Sequence, residues 1–191
     1  CNIVVVTDDA YFGLFYEDSM QESLFGKLAN LHPRILAIKL DGATKEEFVW
    51  GFRTGFITFA EGSSEDKSMV LNALEKKAMG IIRAKISNCP HPSQTFVIEA
   101  LRSPNFIAQK QEKFEIMKGR SLAVKEVLNS GKFDDVWTYY PFNSGYFMCL
   151  KLKGVEAEPL RLYLLDKYGV GTISTNKTDL RIAFSCIAAQ D

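Results

Sequence analysis

Ile3-Val4-Val5-Val6-Thr7-Asp8-Asp9-Ala10-Tyr11-Phe12-Gly13 is the stretch that decides how this 191-residue chain folds. Its four consecutive β-branched residues read as a buried strand, and the Asp-Asp pair turns the chain out of it. Outward from there, a loop runs from Thr7 to Asp18, and Leu24, Leu28 and Leu31 at helical spacing predict a helix over 19–31. His32-Pro33 stops it. Strands are predicted at 34–40 (RILAIKL) and 52–59 (FRTGFITF), with the turn-forming Asp41-Gly42 and a short charged stretch between them. Strand, helix, strand in this order marks an α/β layer with a mostly parallel sheet. A domain seldom opens inside a strand, so an N-terminal portion is expected ahead of Cys1.

Downstream, Glu61-Gly62-Ser63-Ser64 is the clearest loop, and Ser64 can cap the helix predicted over 65–87. Pro90 and Pro92 punctuate the chain before helices at 93–102 and 105–129, the last ending at Ser130-Gly131. The texture then changes to strands at 136–140 and 145–152, a helix at 159–168, and closing strands at 170–174 and 180–187. This order gives three regions: 1–64 as the end of a large α/β domain, 65–130 as connecting helices, and 131–191 as a small C-terminal α+β domain.

Twenty-three Lys and Arg residues balance 23 Asp and Glu, with 47% hydrophobic residues. That composition excludes intrinsic disorder. Zero net charge gives no long-range pull on phosphate backbones or anionic lipid, so neither nucleic acid nor a membrane is expected as a partner. No apolar run approaches the ~20 residues of a membrane span. Cys1, Cys89, Cys149 and Cys186 are scattered without a CxxC pair, and no metal site is expected. Buried reduced thiols in a cytoplasmic protein fit this usage best. Asn176-Lys177-Thr178 forms a glycosylation triplet of a kind common by chance.

Several polar residues stand at predicted strand ends, where open α/β sheets bind ligands. Asp8 follows the first strand with Tyr11 three residues on, and Lys45 follows the second with Arg53 eight residues on. Asp9 rivals Asp8 and Lys39 rivals Lys45. Asn143-Ser144-Gly145-Tyr146-Phe147 opens a later strand, and Leu180-Arg181-Ile182-Ala183-Phe184 lies near the end. In order and approximate spacing these motifs resemble the class I/II aminotransferases, fold type I enzymes that use pyridoxal 5'-phosphate, across nearly the whole chain.

The resemblance implies a role for each residue. Asp8 would hold the cofactor's ring nitrogen protonated, and Tyr11 would donate its phenol proton to the ring oxygen. Lys45 would form the Schiff base and carry the proton between substrate and cofactor, which requires a lowered amine pKa. Arg53 would offer a bidentate fork to the phosphate and Arg181 another to the substrate α-carboxylate. The spacing of acid to tyrosine in the family selects Asp8 over Asp9, and Lys39, fourteen residues from Arg53, is disfavoured against Lys45. The activity implied is amino transfer between an amino acid and a 2-oxo acid by a homodimeric enzyme. A β-lyase or decarboxylase of the same fold is the second reading, and a non-catalytic ligand-sensing module the third. Two departures stand out: Gly42 occupies the place, three residues before the lysine, where the family commonly has a phosphate-binding serine, and the loop Thr175–Asp179 is short. Family members are also longer, with an N-terminal half that holds the glycine-rich phosphate loop and the stacking aromatic, so the chain by itself is expected to be incomplete and inactive.

Overall fold

The computed structural model describes residues 2–18, 22–62 and 67–188, which form two compact units, 1–107 and 108–191. In the first unit, β1 (Ile3–Asp8), β2 (Ile35–Gly42) and β3 (Gly55–Glu61) make a three-stranded sheet in that order. β1 and β2 are parallel, from Ile3 against Ile35 to Asp8 against Leu40. A parallel pair needs a crossover, here containing the short helix α1 (Leu24–Leu28), whose first turn is capped by the Ser23 hydroxyl accepting from the Phe25 N–H at 3.1 Å. A one-turn helix, α2 (Ala43–Glu46), follows β2. β3 is antiparallel to β2, from Leu36 against Glu61 to Gly42 against Gly55. The sheet is therefore mixed, with one parallel and one antiparallel pairing.

Two expectations change here. The helix predicted over 19–31 is confined to α1 among the described residues, and Asn30 at φ 65° takes the chain out of helical conformation ahead of His32-Pro33. β1 is not buried: Ile3, Val4 and Val6 are each more than half exposed. An apolar run of this kind encodes a strand meant for cover on both faces, and among the described residues Ile3, Val4 and Val6 lack it while Val5 is half-buried and Thr7 buried. Ser64, the expected cap of the next helix, lies outside the described residues, as do 65 and 66. Helices α3 (Lys67–Ile86) and α4 (His91–Arg102) complete the unit, α3 ending where Ser87 adopts φ 66°.

α5 (Phe106–Leu128) opens at the division between the units and continues through the second, which also holds β4 (Trp137–Tyr139), β5 (Met148–Leu152), α6 (Ala157–Tyr168), β6 (Ile173–Ser174) and β7 (Asp179–Ile182). Its sheet, ordered β4-β5-β7-β6, is antiparallel throughout. Alternation along β5 turns Met148, Leu150 and Leu152 inward, where they are buried as Leu180, Ala157 and Phe184 are. The strand predicted at 180–187 ends at Ile182, and Phe184–Cys186 form a 3-10 turn. Cys89, Cys149 and Cys186 form no disulfide, and none is buried, which corrects the expectation of buried thiols. No helix among the described residues is long and apolar enough to cross a membrane.

Candidate active site

Asp8 ends β1, and beside it β2 runs without a linker into α2, for which Gly42 is both last strand residue and N-cap. The chain then passes through a 3-10 turn, Trp50–Phe52, and enters β3 at Gly55. This path places Asp8, Lys45 and Arg53 on the wall of one cleft of about 320 Å³, together with Asp41, Gly42, Thr44 and Thr54. Such a volume is at the lower end of the range for small-molecule sites.

The loop after β1 lies over α2. Asp9 N–H donates to the Leu40 carbonyl (2.8 Å) and Phe12 N–H to the Asp9 carbonyl (2.9 Å), closing a turn. Gly13 turns the loop at φ 83°, where a Cβ would press on the Glu46 carboxylate at 3.2 Å. Tyr11 is thereby set against Lys45, whose Nζ lies 5.0 Å from the ring centroid.

The two rival pairs separate by their partners. Lys39 Nζ is 2.7 Å from Asp41 Oδ2 and 3.7 Å from Asp9 Oδ2, and sits over the Phe12 ring. The Asp41 carboxylate, by hydrogen bond and charge, holds the Lys39 amine above its ordinary pKa, outweighing desolvation. An amine that must act as a nucleophile needs the reverse shift, so this pairing disfavours Lys39 for that role. Asp9 is likewise occupied, accepting from the Ser23 hydroxyl as well as facing Lys39. Asp8 is exposed and, among the described residues, accepts a local bond from Ala10 N–H at 3.1 Å.

Arg53 does not lie in a strand, as its sequence context predicts. It closes the 3-10 turn in the left-handed region at φ 53°, and Nη1 donates to the Trp50 carbonyl at 3.2 Å. Non-glycine residues in that region are uncommon and cluster at ligand sites. Arg181 is central on β7 of the second unit, paired with Cys149 and Ile173, its guanidinium 4.7 Å from the Phe147 ring centroid. The hairpin before it is held by Asp179, whose carboxylate accepts from Asn176 Nδ2 (2.7 Å) and the Tyr140 hydroxyl (3.1 Å). These donors hold the Asp179 carboxyl below its ordinary pKa, the Asn176 amide contributing most. Asn176, the glycosylation triplet's asparagine, is thus committed to the hairpin.

Sequence reasoning missed Thr54, which is 9% exposed with a buried hydroxyl that finds no partner among the described residues. Its one signal was position, beside Arg53. Phe147 was quoted within a motif but given no role. A larger cleft of about 840 Å³ in the second unit is mostly apolar, with Arg120, Thr172 and Cys186 among its lining, and contains none of the candidate residues. Among the described residues no three His, Cys, Asp or Glu side chains are grouped to hold a metal ion.

The smaller cleft fits the cofactor that the resemblance implies: the Asp8 carboxylate, the Lys45 amine and the Arg53 guanidinium line it, the Tyr11 phenol lies against that amine, and the lining residue Thr54 has a buried hydroxyl without a partner among the described residues. The family model described as aminotransferase class I and II matches residues 1–191. No curated protein sequence matches. Among solved structures the fold is similar to an aminotransferase from Anaerococcus prevotii, with TM-score 0.76 and 22% identity over 99% of this chain and 44% of that one. An α-aminoadipate aminotransferase from Thermus thermophilus, complexed with N-(5'-phosphopyridoxyl)-L-leucine, gives TM-score 0.73 and 21% identity over 98% and 46%. An alanine aminotransferase from Pyrococcus furiosus gives 0.71 and 20% over 96% and 45%. The chain therefore spans less than half the length of each.

Proposed function

This chain belongs to the class I and II aminotransferase family, and from that premise we propose that it carries the lysine of a pyridoxal 5'-phosphate-dependent enzyme that moves an amino group between an amino acid and a 2-oxo acid. The observation that carries the reading is the convergence of Asp8, Lys45 and Arg53 on one cleft, with Lys39 and Asp9 committed elsewhere. When bound, the cofactor supplies an aldehyde carbon for amine exchange and a ring that withdraws electrons from the substrate's α-carbon. Asp8 holds a proton on the ring nitrogen through its negative charge. Tyr11 donates its phenol proton toward the ring oxygen. Lys45 would be the residue that holds the aldehyde carbon, and its amine would serve as the positioned base and acid for the substrate's α-proton. Arg53 grips the phosphate by its planar fork. Arg181 binds the substrate α-carboxylate, and the orientation it imposes selects which bond at the α-carbon is aligned to break.

In domain terms, residues 1–64 are the end of the cofactor-binding large domain, 65–130 the connecting helices and 131–191 the small domain. The full-length enzyme is a cytoplasmic homodimer of amino-acid metabolism, while the 191-residue piece alone binds cofactor weakly and turns over negligibly. The test is borohydride reduction of the cofactor-loaded full-length protein, followed by peptide mass mapping. A pyridoxyl group on Lys45, lost in Lys45→Ala and kept in Lys39→Ala, is expected; label on Lys39 sinks the assignment. Assay with amino-acid and 2-oxo-acid pairs is expected to give amino transfer, and release of pyruvate and ammonia without an acceptor would point to the β-lyase instead.

A further inference from the structure

Residue 42 cannot carry a hydroxyl toward the cleft. A Cβ there would lie 2.9 Å from the Thr54 carbonyl oxygen and 3.3 Å from Gly55 Cα. The approach is built in: Gly42 pairs with Gly55 at the end of the β2–β3 ladder, and Ala43 N–H donates to the Thr54 carbonyl at 3.2 Å. The same packing puts Thr54 on the cleft wall between Arg53 and Gly55. Its hydroxyl is buried without a partner among the described residues. An unmade hydrogen bond of this kind is costly, and each such group in a folded protein calls for an explanation.

We propose that Thr54 supplies the hydroxyl donor to the cofactor phosphate that Gly42 cannot, closing on the same anion as Arg53. This rests on the reading that the cleft takes pyridoxal phosphate. The hydroxyl oxygen is sealed from solvent, and donation to the phosphate requires it to move to another staggered χ1 well. Thr44, the other threonine on the wall, is the rival donor. An O–H donated to a phosphate dianion is charge-assisted and stronger than a neutral bond.

The experiment titrates full-length protein with pyridoxal phosphate and, separately, with pyridoxal, which lacks the phosphate. Visible absorbance follows the lysine-bound form. Thr54→Val is expected to weaken pyridoxal phosphate roughly 10- to 100-fold while leaving pyridoxal within about twofold of the parent. Thr54→Ser, which keeps the hydroxyl, is expected to restore affinity to within about threefold, and Thr44→Val to change little. If Thr54→Val fails to fold, Thr54→Ala takes its place, with the phosphorus resonance of bound cofactor expected to shift from that of the parent and of Thr44→Val. An unchanged affinity in Thr54→Val, an equal loss for both ligands, or a loss that follows Thr44 instead overturns the proposal while leaving the cofactor reading standing. A parent protein that binds no pyridoxal phosphate overturns both.

Discussion

Replacing Gly42 by serine, the residue that the family resemblance leads one to expect, should damage the protein rather than complete its phosphate site. The φ of 177° is extended backbone open to any residue, so the conformation itself costs nothing. The penalty is contact: a Cβ would stand 2.9 Å from the Thr54 carbonyl oxygen, 3.3 Å from Gly55 Cα and 3.8 Å from the Thr54 carbonyl carbon. None of these is the loose end of a side chain. The carbonyl accepts from Ala43 N–H and lies next to the last rung of the β2–β3 ladder, Gly42 against Gly55, so relief means prising the end of that ladder open. Overpacking of this kind costs about 1–3 kcal/mol, and loss of the Ala43–Thr54 hydrogen bond adds about 0.5–1.5 kcal/mol. The expected sum is about 2–4 kcal/mol. Urea unfolding of the full-length protein, followed by circular dichroism, should show a midpoint clearly below the parent's with an unchanged slope. Gly42→Ala should lose as much, because the Cβ and not the hydroxyl is at fault. A Gly42→Ala midpoint equal to the parent's, or tighter cofactor binding in Gly42→Ser, would refute the reasoning.

Arg53 can be split into backbone and side-chain parts: Arg53→Gly and Arg53→Ala should lose cofactor phosphate binding alike, while the glycine variant is about 1 kcal/mol more stable because φ 53° suits it; equal midpoints would contradict this. Phe184, 1% exposed and stacked 5.7 Å from Phe142, should cost about 3–5 kcal/mol when cut to alanine, read as a lowered melting temperature. Asp179 has a depressed folded-state pKa, so its contribution is present above the ordinary carboxylate range and lost as pH falls toward the folded value. Melting temperatures between about pH 6 and pH 3 should therefore fall more steeply for the parent than for Asp179→Asn; parallel curves would remove the carboxylate from the account. Arg181→Lys keeps the charge and loses the fork, and should raise KM for the amino acid about 10- to 100-fold in steady-state assays and lower kcat as well, because the carboxylate is no longer held in one orientation; an unchanged kcat would contradict the orienting role.

The strands were legible where β-branched residues run together, as at Ile3-Val6, and the long helices where apolar residues recur at helical spacing, as in α3. Boundaries were lost at residues whose backbone has no signature in the side chain. Arg53 sits in a run that alternates like a strand, FRTGFITF, and nothing in an arginine announces φ 53°. Asn30 is a residue type that tolerates the left-handed region, but His32-Pro33 masked it as the helix stop. At the site, spacing and family resemblance favoured Asp8 and Lys45, but the physical ground for setting Lys39 aside, its two carboxylate partners, exists only once β1 and β2 are paired. The unpaired Thr54 hydroxyl is a property of packing alone, and no pattern of residues predicts it.

Because β2 passes into α2 at Gly42 with no residue between them, the direction of Lys45 is geared to the strand. Each residue of an α-helix advances the azimuth by about 100°, at 3.6 residues per turn. One residue inserted or removed between Gly42 and Lys45 would swing the amine about a quarter-turn or more away from Tyr11, whatever the chemistry of the added residue. The count of residues between Gly42 and Lys45 is therefore constrained as well as their identity, because that length acts as a gauge for the direction in which the Lys45 amine leaves the strand end.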